Sequence, residues 1–160
     1  ISQNLKSIRR KYGQLLTENV HAFPTVDELS VATVEDFKEM GLGYRARYIF
    51  ETVAKLKNFG LERSSDLSLM RAALIEFPGV GRKVADCVLL YSLEFHQVVP
   101  VDTHMFKIAQ LLTSKTIKKD NGMHEAIQAM MSRKFGPKAG WAHCYLFAAN
   151  LPTVNKKLRT

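Results

Sequence analysis

Lys83 is the second residue after a glycine-bracketed turn, at the start of a strongly apolar helical stretch. The turn reads Phe77-Pro78-Gly79-Val80-Gly81. Partial desolvation and the positive start of the helix both disfavour the ammonium form, which would leave a more nucleophilic amine. Such an amine can attack an electrophilic carbon and remain attached as a Schiff base. An ordinary surface lysine is the alternative that the residue type alone favours.

Asp102 and His104 form a second polar group, one helix farther along the chain. Asp102 follows Pro100-Val101, and the proline holds the chain extended just before the next helix. Its carboxylate can cap that helix, stabilise positive charge during a reaction, or do both. A lone helical histidine such as His104 is most simply exposed and inert.

The turn before Lys83 is also a candidate anion site. Gly79 and Gly81 allow backbone conformations that other residues resist, and they remove side chains where another backbone must approach. The next helix begins at once, so its unpaired amides can bind a phosphate. Carbonyls of the turn can converge on a hard cation. An ordinary helical hairpin with a glycine-rich loop explains the turn equally well.

Composition favours a single globular unit with a polyanionic partner. The chain has 160 residues, 46% hydrophobic and 24% charged, with a net charge of +8, which predicts nucleic acid first and an acidic membrane second. Two cysteines, Cys87 and Cys144, are too few for a disulfide scaffold, a structural zinc site or an iron–sulfur cluster. We expect the protein to occupy a reducing compartment and to have no membrane-spanning helix and no signal peptide. Because the chain opens on Ile1, we expect a processed, truncated or partial chain.

The positions of prolines, glycines and apolar residues predict an all-α chain that carries these residues on helices and turns. An amphipathic helix with apolar residues from Leu5 to Leu16 comes first, and the stretch from Val98 to Val101 is a short extended connector. Thr33 and Ser65 are predicted helix caps. The further helices are predicted to start near Val26 and to span 34–40, 45–59, 66–75, 82–93, 103–112, 122–135 and 138–151, with a loop over 113–121.

The segment from Leu74 to Gln110 resembles the helix–hairpin–helix DNA glycosylase superfamily. In that superfamily a P-G-V-G turn precedes a catalytic lysine, and V-D-x-H follows one helix later. The matching positions here are Gly79, Gly81, Lys83, Val101, Asp102 and His104. The resemblance implies that Lys83 attacks C1′ of a deoxyribose, displaces the base and then allows β-elimination. It implies that Asp102 stabilises charge on the sugar and that Gly79, Gly81, Val84 and His104 contact DNA.

Two other segments resemble the eukaryotic-type 8-oxoguanine DNA glycosylases: residues 41–48, and the residues from Gly136 to Phe147. By this resemblance Tyr44 wedges into the duplex and Arg45 reads the orphaned cytosine. Cys87 and Phe147 would form the two faces of the base pocket. For Trp141 we expect a core position.

The resemblance covers most of residues 1–152, with two departures. The pocket glutamine of the family is His143 here, which offers one donor and one acceptor. The long N-terminal portion of family members does not precede Ile1, so we expect the catalytic half of such an enzyme: a helical domain over 1–152 and a basic tail over 153–160.

The sequence therefore predicts a bifunctional 8-oxoguanine glycosylase and abasic-site lyase acting on damaged duplex DNA. Two alternatives stay open: a related glycosylase for another oxidised or alkylated base, and a non-catalytic DNA-binding module. By resemblance we expect no cofactor for the chemistry, no iron–sulfur cluster, and a structural monovalent or calcium ion on the carbonyls of Ile75, Phe77 and Val80. We also expect a monomer in the nucleus, with mitochondria as a further location.

Overall fold

The structure is a computed structural model that describes residues 2–113, 117, 120 and 122–150. A two-stranded antiparallel hairpin, β1 (Leu15–Thr17) and β2 (Val20–His21), follows the first helix, and a 3₁₀ turn (Gly136–Lys138) precedes the last. The α-helices of the described residues are α1 (Ser2–Tyr12), α2 (Val26–Leu29), α3 (Val34–Glu39), α4 (Arg45–Phe59), α5 (Leu67–Ile75), α6 (Arg82–Ser92), α7 (Thr103–Leu112), α8 (Met123–Phe135) and α9 (Ala139–Ala149). The all-α prediction is confirmed. None of these helices has the length and apolar character needed to cross a bilayer.

The helices group into two compact units. The first unit contains residues 1–64 and 76–79, and the second contains residues 65–75 and the chain from Val80 onward. The sequence predicts one domain over 1–152, and that boundary stays a prediction because its end lies outside the described residues. The basic tail over 153–160 also lies outside them.

The first unit packs around Phe37, which is fully buried, and two of its helices, α2 and α3, are short and well capped. Thr25 and Thr33 each cap a helix through a capping box with the acidic residue three positions on, Glu28 and Asp36. The prediction for Thr33 is therefore confirmed. These caps fix the short helices that pack beside α4, the helix that begins with Arg45.

The second unit has its own apolar core, centred on α7 and α8. Met105, Ile127 and Met131 are fully buried in it, together with Val99 of the extended connector. Pro100 is also buried, so the connector that leads into α7 passes through the interior. Because buried backbone is held by its packing, this arrangement fixes the point at which α7 begins.

Two predicted helix boundaries are wrong. The first helix ends at Tyr12, and Leu15 and Leu16 lie on β1 with 58% of their surface exposed. Gly13 explains the early end, because a Cβ there would meet the carbonyl oxygen of Ala22 at 2.0 Å, so only glycine lets β2 pack against this turn. Asp66, and not Ser65, caps α5: its Oδ1 accepts hydrogen bonds from two amides of the first turn at 2.7 and 3.1 Å.

The other boundaries follow the predictions closely. The helix predicted over 45–59 is present with these bounds, and the helix predicted over 82–93 ends at Ser92. The helix predicted over 138–151 is a 3₁₀ turn followed by α9, and its predicted end at Leu151 lies outside the described residues. Most of the loop predicted over 113–121 also lies outside them.

Candidate active site

The start of α6 leaves a set of backbone amides unused. Gly81 occupies the N-cap with extended backbone (φ −89°, ψ 177°) and has no side chain to cap the helix. Within the helix, the Ala85 amide donates to the Gly81 carbonyl at 3.0 Å. The amides between them, up to Val84, therefore have no acceptor inside the helix. Lys83 is the second residue of α6, so its amine lies at the positive end of the helix.

Lys83 and Val84 are both exposed. For Lys83 the partial desolvation expected from the sequence is therefore wrong in this structure: the apolar helix that follows it is covered on its other face, where Ala85 and Leu89 are fully buried. An exposed amine is accessible to a substrate.

The two glycines of the turn differ in what the protein requires of them. Gly79 has a φ of +73°, and a Cβ there would lie 2.5 Å from the ring of Tyr48 in the first unit. Both facts exclude other residues. Gly81 has an ordinary φ, and a Cβ there would meet nothing within 4 Å. Nothing in the fold therefore requires a glycine at position 81.

Asp102 caps α7, as predicted. Its Oδ1 accepts a hydrogen bond from the Met105 amide at 2.8 Å. The residue is half-buried, and Oδ2 makes no hydrogen bond with any of the described residues. One carboxylate oxygen is thus occupied by the cap, while the other remains available.

Cys87 and His143 both lie within electrostatic reach of Lys83 and Asp102. Burial raises the pKa of the Cys87 thiol; Lys83 opposes the shift through its charge and a hydrogen bond, and Asp102 adds to it. Burial also lowers the pKa of His143, with Asp102 opposing the shift and Lys83 adding to it. The second unit therefore brings the predicted nucleophile, the predicted carboxylate and two predicted pocket residues together.

Phe147 completes this group from α9. Its ring centroid lies 6.0 Å from that of His143 and 5.7 Å from that of His104, the latter in an edge-on arrangement. His143 is only 5% exposed, and its Nδ1 is buried without a hydrogen-bond partner among the described residues. An unpaired buried polar atom is costly, so this nitrogen is suited to bind a polar group of a ligand.

Tyr44 and Arg45 lie at the start of α4 in the first unit. The side chain of Tyr44 is 79% exposed, and its ring packs edge-on against Tyr48 at 6.1 Å. Arg45 is exposed, and its Nε lies 3.4 Å from the Leu42 carbonyl. The Tyr44 ring is therefore accessible to a partner, and Arg45 keeps its terminal guanidinium N–H groups for one while Nε donates to Leu42.

The predictions for Trp141 and for a cation site have different outcomes. Trp141 is 48% exposed, so the expected core position is wrong: residue 140 is the buried one, and Trp141 lies beside His96 at the surface of α9. The carbonyls predicted to bind a cation, those of Ile75, Phe77 and Val80, divide between the two units, so that site stays a prediction. The described residues contain no group of three or more His, Cys, Asp or Glu side chains arranged to hold a metal ion.

Comparison with known proteins finds relatives of this chain among curated sequences and solved structures. No protein-family model matches the chain. N-glycosylase/DNA lyase OGG1 of Arabidopsis thaliana is 39% identical over 154 residues, which cover 88% of this chain and 41% of that protein. N-glycosylase/DNA lyase of Saccharomyces cerevisiae is 34% identical over 189 residues, or 94% of this chain and 50% of that protein. The chain is a homologue of the N-glycosylase/DNA lyases. It spans about half the length of the curated relatives it matches.

Two solved structures have the same fold as this chain. The structure of MBOgg1 in complex with a low-affinity DNA ligand has a TM-score of 0.79 and 27% identity, covering 99% of this chain and 54% of that one. The Clostridium acetobutylicum 8-oxoguanine glycosylase/lyase, in complex with double-stranded DNA containing cytosine opposite 8-oxoguanine, has a TM-score of 0.71. It is 32% identical, and the match covers 91% of this chain and 51% of that one.

Sequence reasoning missed a buried network of hydrogen-bonded polar side chains in the second unit. Asp86 is fully buried on α6; its Oδ1 accepts from Arg71 Nε at 2.8 Å and its Oδ2 from Gln128 Nε2 at 3.1 Å. Gln128 Nε2 also donates to the Val99 carbonyl at 3.2 Å. The network joins α5, α6, α8 and the connector that leads to Asp102. A carboxylate within an otherwise apolar helical stretch was the signal that could have revealed it.

Sequence reasoning also missed how the first unit holds its part of the turn. The ammonium of Lys55, on α4, donates to the Glu76 carbonyl at 2.8 Å and lies 4.8 Å from the centre of the Phe77 ring. Together with Tyr48 against Gly79, this contact ties residues 76–79 to α4. No local sequence pattern connects residues this far apart.

Proposed function

We propose that this chain carries the catalytic centre of a DNA glycosylase with associated lyase activity that removes 8-oxoguanine from duplex DNA. The observation that carries the proposal is the grouping of Lys83, Cys87, Asp102 and His143 in the second unit, in a homologue of the N-glycosylase/DNA lyases. A merely structural lysine would not need a half-buried carboxylate, a thiol and a buried imidazole beside it.

In the proposed reaction, the neutral amine of Lys83 attacks C1′ of the damaged nucleotide. The bond from C1′ to the base breaks, its electron pair leaves with the base, and the base takes up a proton. The sugar ring then opens to an imine on Lys83. The imine makes a C2′ proton acidic; loss of that proton expels the 3′ phosphate and cuts the strand. Asp102 stabilises the positive charge that develops on the sugar as the first bond breaks.

Cys87, His143 and Phe147 form the proposed pocket for the extruded base. The Phe147 ring offers a face for stacking, and His143 offers hydrogen bonding to the base edge. Guanine-type bases present N–H donors on that edge, which require an acceptor. Because its lowered pKa favours the neutral imidazole, His143 supplies one acceptor nitrogen.

The DNA-binding part of the proposal rests on the backbone amides at the start of α6 and on exposed side chains. The open space at Gly81 leaves room for a phosphate next to these amides. Val84 on α6 and His104 on α7 are also exposed. In the first unit, Tyr44 is proposed to enter the duplex and Arg45 to read the opposite cytosine. The net charge of +8 favours a polyanion in general.

The test is single-turnover base release from a panel of duplexes, with 8-oxoguanine placed opposite each of the four bases and with other oxidised or alkylated bases opposite cytosine. We expect the fastest release for 8-oxoguanine opposite cytosine. Fastest release of another lesion would assign the His143 pocket to that base. No release from any duplex, with duplex binding retained, would leave a DNA-binding module and refute the proposal.

Arg45→Gln sharpens the test, because the proposed role of Arg45 is to recognise the opposite base. We expect this variant to lose the preference for cytosine while still releasing the lesion. Arg47→Gln is the matched control, since Arg47 lies on the same helix and pairs with Glu51 on its surface. If Arg45→Gln and Arg47→Gln prefer cytosine to the same extent, Arg45 does not recognise the opposite base.

A further inference from the structure

A basic cavity of about 320 Å³ in the first unit has no part in the proposed reaction. It lies between α1 and the β1–β2 hairpin. Three of its six lining residues are cationic and none is a carboxylate: it is lined by Gln3, Lys6, Arg9, Arg10, Asn19 and His21. A concave surface of this composition attracts an anion.

The cavity is built by a close approach that depends on Gly13. A Cβ at this position would lie 2.0 Å from the carbonyl oxygen of Ala22 and 2.8 Å from that of Arg9. The backbone is closed there by hydrogen bonds from Gly13 to Arg9 and from Ala22 to Gln14, both 2.9 Å long. The hairpin therefore folds back against the last turn of α1, and this brings its two lining residues opposite the cations of the helix.

The cations of the cavity have no carboxylate partner among the described residues. Lys11, the next cation along α1, does pair, with Asp36. Lys6, Arg9 and Arg10 form no ion pair with the described residues, so the positive charge in the cavity is uncompensated. Like charges held together are unfavourable unless a counter-charge is bound.

Two lining side chains also carry buried polar atoms that lack a partner. Arg9 Nε and His21 Nδ1 are shielded from solvent, and neither makes a hydrogen bond with the described residues. Arg9 Nε is always a donor, and a buried donor without an acceptor costs free energy, which an anion in the cavity would offset. Arginine combines a fixed fork of donors with a permanent charge, and this suits it to oxyanions with several acceptor oxygens.

We propose that this cavity binds a phosphate group. Guanidinium, ammonium and amide N–H groups from Arg9, Lys6 and Asn19 match the several acceptor oxygens and the negative charge of phosphate. The volume exceeds that of a single phosphate, so the group can belong to a larger molecule. Two sources share this chemistry: the backbone of a bound duplex and a free nucleotide or inorganic phosphate. The proposal does not rest on glycosylase activity, since the cavity contains none of the proposed catalytic residues.

The first measurement is a titration of the full chain with inorganic phosphate at constant ionic strength, followed by the backbone amide NMR signals of Asn19 and His21. Arg9→Gln is compared with Arg133→Gln, a matched control in which an arginine is removed from the last turn of α8. We expect saturable shifts in the wild type and in Arg133→Gln, and about tenfold weaker binding or none in Arg9→Gln. Lys6→Gln, on an exposed residue, gives the same test if Arg9→Gln folds poorly.

The second measurement distinguishes the two sources through the salt dependence of binding to undamaged duplex. If a backbone phosphate occupies the cavity, Arg9→Gln lowers the slope of log affinity against log salt by about 0.9 relative to Arg133→Gln. If the cavity takes a free phosphate, both variants keep the same slope. Absence of saturable shifts in the wild type, or equal shifts in Arg9→Gln and Arg133→Gln, would overturn the proposal. Neither measurement depends on base release, so the two proposals fail independently.

Discussion

Asp102 combines a structural hydrogen bond with the charge that the proposed reaction requires. Asn caps helices about as well as Asp, so Asp102→Asn should lower the free energy of unfolding by less than about 1 kcal/mol. The same change removes the negative charge, and we expect base release to slow by about 100-fold or more. Urea unfolding and single-turnover base release measure the two effects separately.

Asp66→Asn is the matched control for that substitution, because Asp66 caps α5 in the same way. It should leave base release unchanged. A variant Asp102→Asn with full activity per folded molecule would leave Asp102 with only the capping role.

His143 allows a prediction about pH. Burial lowers its pKa below the ordinary value of about 6.5, with a further lowering by Lys83 and an opposing effect of Asp102. Because the folded state disfavours the proton, the stability that His143 contributes is present above about pH 6.5 and is lost as pH falls through the lowered pKa. Lesion affinity should weaken as pH falls through this lowered pKa, below pH 6.5, since the imidazolium has no acceptor nitrogen.

The measurement is lesion affinity against pH for the wild type and for His143→Gln, which should lose most of the dependence. His124→Gln serves as the control, as His124 lies on α8 outside the group around Lys83. Superimposable profiles for the wild type and His143→Gln would show that His143 does not contact the base.

The roles of individual residues could be predicted where a local sequence pattern marks them. The turn before Lys83 and the proline before Asp102 mark both positions in the sequence, and the Asp102 cap follows from its place before a helix. The exposure of Lys83 and of Trp141 could not be predicted in this way. Both depend on which face of a helix its neighbours cover, and this is decided by packing between distant parts of the chain.

At the scale of elements, the Asp86 network fixes α6 relative to its neighbours. Removing one partner of a buried ion pair leaves the other charge unpaired, so Asp86→Ala should lower the free energy of unfolding by about 3–5 kcal/mol. Glu51→Ala is the control, because it removes the exposed pair with Arg47, a type of pair worth about 0.3–0.5 kcal/mol. Urea unfolding of both variants gives the comparison. Equal, small losses would show that the network contributes little.

Helix boundaries were predictable where caps and glycines mark them, as for α3 and α4. The first helix shows the limit. The spacing of its apolar residues continues through Leu16, but Gly13 and the carbonyl of Ala22 end the helix after Tyr12. Contact with a strand that follows in the chain overrides the helical pattern. A prediction from a short window of residues does not include that contact.

At the scale of the whole molecule, the charge of +8 predicts binding to DNA that depends strongly on salt. Affinity for undamaged duplex should fall with a log–log slope of about −0.9 for each phosphate neutralised. A bulky residue in place of Gly81, such as Gly81→Leu, should weaken binding to all sequences alike, because it fills the open space beside the α6 amides. Gly122→Leu, at the start of α8, is the control. A slope near zero, or a sequence-dependent loss, would contradict this mode of binding.

The account depends most directly on one covalent bond, between Lys83 and the sugar of the damaged nucleotide. Borohydride reduces an imine to a stable crosslink, so a duplex with 8-oxoguanine opposite cytosine should trap the wild-type chain. Lys107→Gln, which removes an exposed lysine of α7 in the same unit, should be trapped equally well. Lys83→Gln should bind the duplex, release no base and form no crosslink. Trapping of Lys83→Gln at the wild-type yield would show that another amine is the nucleophile and would contradict the account.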